Sequence, residues 1–352
     1  MLGIDIGTTN IKAALYTFSG EECFVKSATY SLHTDEFGAA TQSADEIKEK
    51  TFQVIRASTA ECAKSGWEIS FISFSAAMHS LLAVDTKGEP ISPVFTWGDR
   101  QAEPYLKDLK NKTNPSLYHR TGTPLHPMSP FVKLYGLKRS SHEMMQKADK
   151  FIGVKTFLLY QLFGVYVTDY SLANATGLFN MHTLSWDKEA LEILDISENK
   201  LPNLVPTTEV LRGMKKEVAL TLGLDPKIPV VIGASDGCLA NLGVNAIGQG
   251  QVALSIGTSG AIRTVTDRPL TDKDERTFCY ALTEDLWVIG GPVNNGGVVM
   301  DWAMNRFVES TDSDGVMDSE KNPYDQMMDQ IASVSPGAGQ LFFHPSLVGE
   351  RS

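Results

Sequence analysis

Apolar and polar positions alternate from the first residues. Leu2, Ile4 and Ile6 alternate with Gly3 and Asp5, and Ile11, Ala13 and Leu15 alternate with Lys12 and Ala14. A period of two on both sides of a glycine-containing turn predicts a β-hairpin. Ser19-Gly20 turns the chain into a third strand, about Cys23 to Leu32. Residues Ala44 to Lys64 place Ile47, Phe52, Ile55 and Ala63 on one helical face, and the apolar run Ile69 to Phe74 then reads as a buried strand. Three strands, a helix and another strand predict an α/β fold, a mixed sheet covered by helices. Pro90 to Pro130 reads as an insertion of loops and short helices, and Phe151 to Phe163 as a helix. Ile228 to Ile232 reads as a short buried strand, followed by Gly233-Ala-Ser-Asp236-Gly and a helical segment from Cys238 to Leu242.

A faint repeat divides the chain. Gly3-Ile-Asp-Ile-Gly-Thr-Thr-Asn-Ile-Lys-Ala13 can be laid on Ala253-Leu-Ser-Ile-Gly-Thr-Ser-Gly-Ala-Ile-Arg263. Two such hairpins predict two related domains. The glycine-rich segment Gly243 to Gln251 lacks an apolar period and marks the boundary. The expected domains are residues 1–245 and 246–352. The second closes on His344-Pro-Ser-Leu-Val-Gly-Glu-Arg-Ser352 without an evident final helix, so it is expected to be truncated.

Composition narrows the chemistry. Lys and Arg number 31 against 42 Asp and Glu, a net charge of −11, which argues against nucleic-acid or membrane binding through charge. Cys23, Cys62, Cys238 and Cys279 are scattered and form neither a zinc nor a disulfide pattern. There is no signal-peptide pattern and no apolar run long enough to span a bilayer, so the expectation is a soluble cytoplasmic protein.

A Gly-Thr hairpin turn presents backbone N–H groups and hydroxyls that suit phosphate oxygens. Lys12 can neutralise phosphate charge, and Asp5 can hold magnesium directly or through water. In the second hairpin Ser255 replaces Asp5, so a pair of hairpins would clamp a nucleoside triphosphate asymmetrically. Each turn alone is also ordinary hairpin chemistry. Asp236, after a buried strand and near a helix start, suits either an N-cap or a general base in phosphoryl transfer. Met78-His79 and Trp97-Gly-Asp99-Arg100 combine an apolar ring face with groups for hydroxyls, a set that suits a sugar. Arg120 and His126 sit in a proline-stiffened loop that can equally be a rigid connector. Gly290 to Gly297, before a helical start at Val298 to Trp302, suits an anion or a close backbone crossing. The acidic run Glu309 to Glu320 reads as a solvated loop.

Taken in order, Asp5-Ile-Gly-Thr-Thr, Met78-His79, Trp97-Gly-Asp-Arg, Gly233-Ala-Ser-Asp236-Gly, Ser255-Ile-Gly-Thr-Ser and Asn295-Gly-Gly resemble the FGGY carbohydrate kinases of the actin-like ATPase superfamily. Phe74-Ser-Ala-Ala-Met-His-Ser80, the segment Arg120 to Ser129 and the segment Asp169 to Phe179 resemble the members that act on gluconate. The resemblance implies two RNase H-like domains around a cleft that holds substrate and ATP. It implies phosphate contacts by Thr8, Thr9, Asn10 and Lys12, and magnesium placement by Asp5 and Asp236, with Asp236 as the base. It also implies a sugar site at Met78, His79, Trp97 and Asp99, and nucleotide contacts at Thr258, Gly297 and Asp301. His79, Arg100, Arg120 and His126 are the candidates to meet a substrate carboxylate. The implied reaction is ATP-dependent phosphorylation of D-gluconate to 6-phosphogluconate, in a chain with room for a homodimer. The alternatives are a xylulose or related pentulose kinase, and a non-catalytic sugar-binding protein that kept the fold. Family members extend further, and their glycine-rich adenine-binding segment has no counterpart here, so weak or absent ATP turnover is expected of these 352 residues.

Overall fold

Burying Leu2, Ile4 and Ile6 together with Ile11, Ala13 and Leu15 requires both arms of the hairpin to turn the same face inward. The computed structural model, which describes residues 1–257, 259–307 and 323–347, has this arrangement. Strand β1 (Leu2–Ile6) pairs antiparallel with β2 (Asn10–Tyr16), in register from Leu2 opposite Leu15 to Ile6 opposite Ile11. Strand β3 (Glu22–Thr29) extends the hairpin. Helix α1 (Ala44–Ser65) begins where Ser43 accepts the Glu46 N–H and ends at Gly66 in the left-handed conformation. It contributes Ile47, Val54 and Ile55 to the core formed by β1 and β2. Each such side chain, fully buried, is worth about 1.5–3 kcal/mol.

Strand β4 (Ile72–Ala76) runs parallel to β1. It starts three residues later than its apolar run suggests, because the partner β1 begins at Leu2, opposite Ile72. Strands β5 (Val210–Leu211) and β6 (Val230–Ser235) complete a six-stranded mixed sheet in the order β5-β6-β4-β1-β2-β3. Helix α2 (Pro130–Ser140) packs in a second apolar cluster with Leu81, Phe151, Phe179 and Trp186. The run from Phe151 is shared between a strand, Lys150–Ile152, and helix α3 (Val154–Phe163), because Phe151 pairs with Ala83 before the helix starts at Gly153. Helix α4 (Tyr170–Ala175) follows the short strand Val167–Asp169, and helix α5 (Asp236–Gly243) follows β6 directly.

The chain divides into two compact units, Met1–Gln251 with Thr264–Ile289, and Val252–Arg263 with Gly290–Ser352. The second hairpin consists of β7 (Val252–Ile256) and β8 (Gly260–Thr266), with 5 and 7 residues, the same lengths as β1 and β2. Strand β9 (Phe278–Ala281) belongs to the first unit. Strand β10 (Trp287–Val293) precedes α6 (Gly297–Phe307) and α7 (Pro323–Ala332). The acidic run Glu309 to Glu320 and Thr258 lie outside the described residues. No described helix is long and apolar enough to cross a membrane.

Candidate active site

The sheet face opposite the core carries the polar chemistry. Lys12 is the register partner of Asp5 on one side, and Ser75 is its partner on the other. Ser75 in turn pairs with Ala234, so one row across the sheet reads Lys12, Asp5, Ser75, Ala234. Register partners share a face. The row therefore brings the hairpin lysine and acid toward the strand end that leads into Asp236.

The turn between β1 and β2 is tight. Gly7 donates its N–H to Asn10 O over 3.0 Å, and a Cβ on Gly7 would lie 3.0 Å from that oxygen. Tyr30 donates its hydroxyl to Gly7 O, and Gln42 donates its side-chain amide to Thr8 O. Thr8 Oγ1 accepts the Trp97 indole N–H at 2.9 Å. Thr9, Asn10 and Lys12 are exposed. The structure thus brings Trp97 to the phosphate-type turn, a contact the motifs alone do not show.

Asp236 is the first residue of α5, and the cap is its neighbour: Ser235 Oγ accepts the Cys238 N–H. The capping role that Asp236 could have filled is taken, and its carboxylate is exposed, with Oδ1 accepting the Gly237 N–H at 2.7 Å. The strand reaches this point through a bulge between Val231 and Ala234. Gly233 sits there at φ +68°, where a Cβ would fall 1.9 Å from Phe74 O. Only glycine fits. The carbonyls on either side, Ile232 O and Ala234 O, accept bonds from Lys155 Nζ at 3.0 and 3.3 Å. Burial pushes the Lys155 amine down, and Asp169 beside it opposes that shift.

The candidate sugar residues separate into two groups. His79 is buried, with a left-handed backbone (φ +64°), and donates Nδ1–H to Ala175 O at 2.7 Å. Its Nε2 lies 3.3 Å from the Tyr280 hydroxyl. Met78 packs on the cluster that contains Met128, Ala175 and Ala234, so it meets the loop of His126 near the base of Asp236. His126 is half-buried, and its Nδ1 accepts the Met128 N–H at 3.1 Å.

The other group is engaged elsewhere. Asp99 is buried and accepts the Ala40 N–H at 3.0 Å and the Gln101 side chain at 2.8 Å. It acts as a clamp for its own loop and lines a cavity of about 50 Å³ with Gln101 and Lys133. Arg100 pairs with Glu103 through two contacts, 2.9 and 2.6 Å, on the surface. Arg120 fills its guanidinium fork with Asp187 (2.7 and 3.2 Å) and Glu189 (2.7 Å), and adds Ser116 at 2.9 Å. Burial raises the Asp187 carboxyl, but the Arg120 hydrogen bond brings it below its ordinary range. The residue types suited a substrate carboxylate, but both arginines already hold protein carboxylates.

In the second unit, Gly296 passes so close to Gly257 and Ser259 that a Cβ would lie 2.8 Å from Gly257 O. Gly297 gives its N–H to Gly257 O at 2.6 Å, so that donor is spent on the turn. The glycine run is a close backbone crossing. Asp301, on α6, is exposed and accepts the Tyr324 hydroxyl.

Among the described residues no three His, Cys, Asp or Glu side chains cluster as a metal cage. Magnesium needs none in phosphoryl transfer, since it is bound through one or two carboxylates plus substrate phosphates. The half-buried Asp5 and the exposed Asp236, one on the polar row and one beside its end, fit that donor set. The residues missed by motif reading are Lys155, Ser171 and Tyr280. Lys155 could have been noticed as a lone charge in the apolar helix Val154–Phe163.

Residues 1–243 match the FGGY family of carbohydrate kinases, N-terminal domain. Over 355 aligned residues the chain is 47% identical to the gluconokinase of Bacillus subtilis, covering 100% of this chain and 68% of that protein. A solved gluconate kinase from Lactobacillus acidophilus superposes with a TM-score of 0.92 at 36% identity, over 100% of this chain and 69% of the other. A ligand-bound xylulose kinase structure from the same organism gives the same 0.92 and 36%, with the same coverage.

Proposed function

The chain belongs to the FGGY family of carbohydrate kinases, and on that premise we propose that it transfers the γ-phosphoryl group of ATP to the terminal hydroxyl of D-gluconate, giving 6-phosphogluconate. Its fold is that family's α/β, actin-like (RNase H-like) fold. The observation that carries the substrate is the 47% identity to a gluconokinase along the whole chain.

Asp236 is the general base in this reading. It takes the proton as the sugar hydroxyl attacks phosphorus, from its place as the first residue of α5. Thr8, Thr9, Asn10 and Lys12 hold phosphate oxygens in the turn after β1. Asp5 and Asp236 would hold magnesium together with the nucleotide phosphates, and the ion would supply charge neutralisation at the transferring group. Met78, His79, Trp97 and His126 receive the sugar acid. Of the four candidates for its carboxylate, His126 is favoured, because Arg100 and Arg120 are paired with protein acids and both ring nitrogens of His79 face protein partners. Thr258, Gly297 and Asp301 are assigned to the nucleotide; for Gly297 the contact would be through Cα rather than its bonded N–H. The family match ending at residue 243 supports a domain boundary near 245, and the use of ATP fits a cytoplasmic enzyme.

The test is calorimetric titration with D-gluconate, with D-xylulose and glycerol alongside. Selective gluconate binding supports the assignment. A solved relative of equal similarity bears the name xylulose kinase, so binding of xylulose alone would replace gluconate with a pentulose. Sugar binding with no ATP consumption at any concentration would leave the non-catalytic reading.

A further inference from the structure

Lys155 is almost wholly enclosed in an apolar helix, 1% exposed, and it touches none of the residues assigned above to ligands. A buried ammonium is costly unless each of its donors is used. Its ammonium forms an ion pair with Asp169 Oδ2 at 2.6 Å and donates to Ile232 O at 3.0 Å and Ala234 O at 3.3 Å. Those carbonyls flank Gly233, where the bulge takes β6 out of register with β4. The ammonium thus holds the carbonyls on both sides of Gly233 at the bulge. Asp169 then spends its other oxygen, Oδ1, on the start of α4, accepting Ser171 N and Leu172 N at 3.1 Å each and Ser171 Oγ at 2.5 Å. Ser171 Oγ in turn accepts the Ser235 N–H at 2.7 Å. Ser235 is the cap of α5 and the residue before Asp236.

We propose that Lys155, Asp169 and Ser171 form a buried positioning relay that fixes the backbone carrying Asp236. The relay holds that backbone on both sides: Lys155 by the carbonyls before Ser235, Ser171 by the Ser235 N–H itself. All three residues are buried and act through the backbone. A well-packed apolar pair would satisfy stability at least as well as a buried ion pair. What the ions add is direction, since each bond fixes one backbone group at the bulge. The inference rests on the reading of Asp236 as the general base, because only then does a displacement of this turn slow the chemistry.

Lys155→Met leaves Asp169 as an unpaired buried carboxylate and can unfold the chain, so Ser171→Ala is the deciding variant. Two readouts are taken. Hydrogen exchange should quicken at least tenfold at the Ser235 and Asp236 amides while β1 and β2 keep their protection. Turnover should fall ten- to thirtyfold with KM for sugar and for ATP unchanged. In an Asp236→Asn background Ser171→Ala should cost nothing further. Unchanged exchange at Ser235, or acceleration spread evenly over the sheet, would overturn the relay. So would a turnover loss that multiplies fully with Asp236→Asn. Should Asp236→Asn alone keep full turnover, the base assignment fails, and the exchange at Ser235 still decides the relay by itself.

Discussion

Trp97 gives its indole N–H to Thr8 Oγ1 over 2.9 Å, so the loop assigned to the sugar and the turn assigned to phosphate share one hydrogen bond. Trp97 is 40% exposed, and its indole edge is tethered by that bond. The tether couples two parts of the site that are far apart in sequence.

Trp97→Phe keeps an aromatic face and removes the N–H. A neutral hydrogen bond contributes about 0.5–1.5 kcal/mol net. The variant should therefore lose about 0.5–1.5 kcal/mol of unfolding free energy in urea melts. A double-mutant cycle with Thr8→Ala should show coupling in that range. Additive losses would mean that the two side chains act independently.

Asp236→Asn tests the base directly. The amide keeps the size of the side chain and cannot accept the hydroxyl proton. Turnover should fall by about a hundred- to ten-thousandfold, the usual contribution of a positioned base. Calorimetry should find gluconate affinity unchanged, since Ser235 and not Asp236 caps the helix. Turnover close to that of the unaltered chain would remove Asp236 from the mechanism.

Gly233→Ala should destabilise the chain strongly. The left-handed backbone at φ +68° costs alanine about 1–2 kcal/mol. The added methyl would also lie 1.9 Å from Phe74 O, in a β4 strand paired on both sides. Urea unfolding should show a loss well above that backbone cost, or no folded protein. A loss within about 0.5 kcal/mol, as for an ordinary surface change, would mean the bulge is not as tight as described.

The hairpin was legible because two signals agreed. Period-two burial fixed its register, and the turn composition fixed its glycine. The repeat was legible from its turn composition and recurs as a second hairpin with equal strand lengths. The strand at Ile72 and the helix at Val154 start later than their apolar runs predict, since pairing partners rather than those runs set the boundaries. Residue type points Arg100 and Arg120 at a substrate, and in the structure both hold protein carboxylates. Glu103 is three residues from Arg100, so that pair was visible in the chain. Asp187 is distant in sequence, so nothing local announced it. Lys155 shows in the sequence only as a lone charge in an apolar helix, and its targets stay hidden because a sequence carries no sign of where a backbone carbonyl will lie.

Lys133 gives a pH signature of the same kind of burial. It lies inside α2, donates to Met128 O, and faces the Asp99 carboxylate across the cavity they line. Burial pushes its amine down to about 7 from 10.5, with Asp99 only partly opposing the shift. Below pH 7 both folded and unfolded chains hold the proton, and the folded chain bears the full cost of a buried charge. Between 7 and 10.5 the unfolded lysine keeps a proton that the folded one has lost. Stability contributed by this site must therefore rise with pH across that window, by at most about 1.4 kcal/mol per pH unit. In Lys133→Met that component is absent. Urea melts of both proteins at pH 6, 7, 8 and 9, values chosen to bracket the transition, should show the unaltered chain gaining on the variant as pH rises. A constant difference would mean that Lys133 stays charged in the folded state throughout. Asp99 would then be its ion-pair partner rather than a clamp for the Trp97 loop alone.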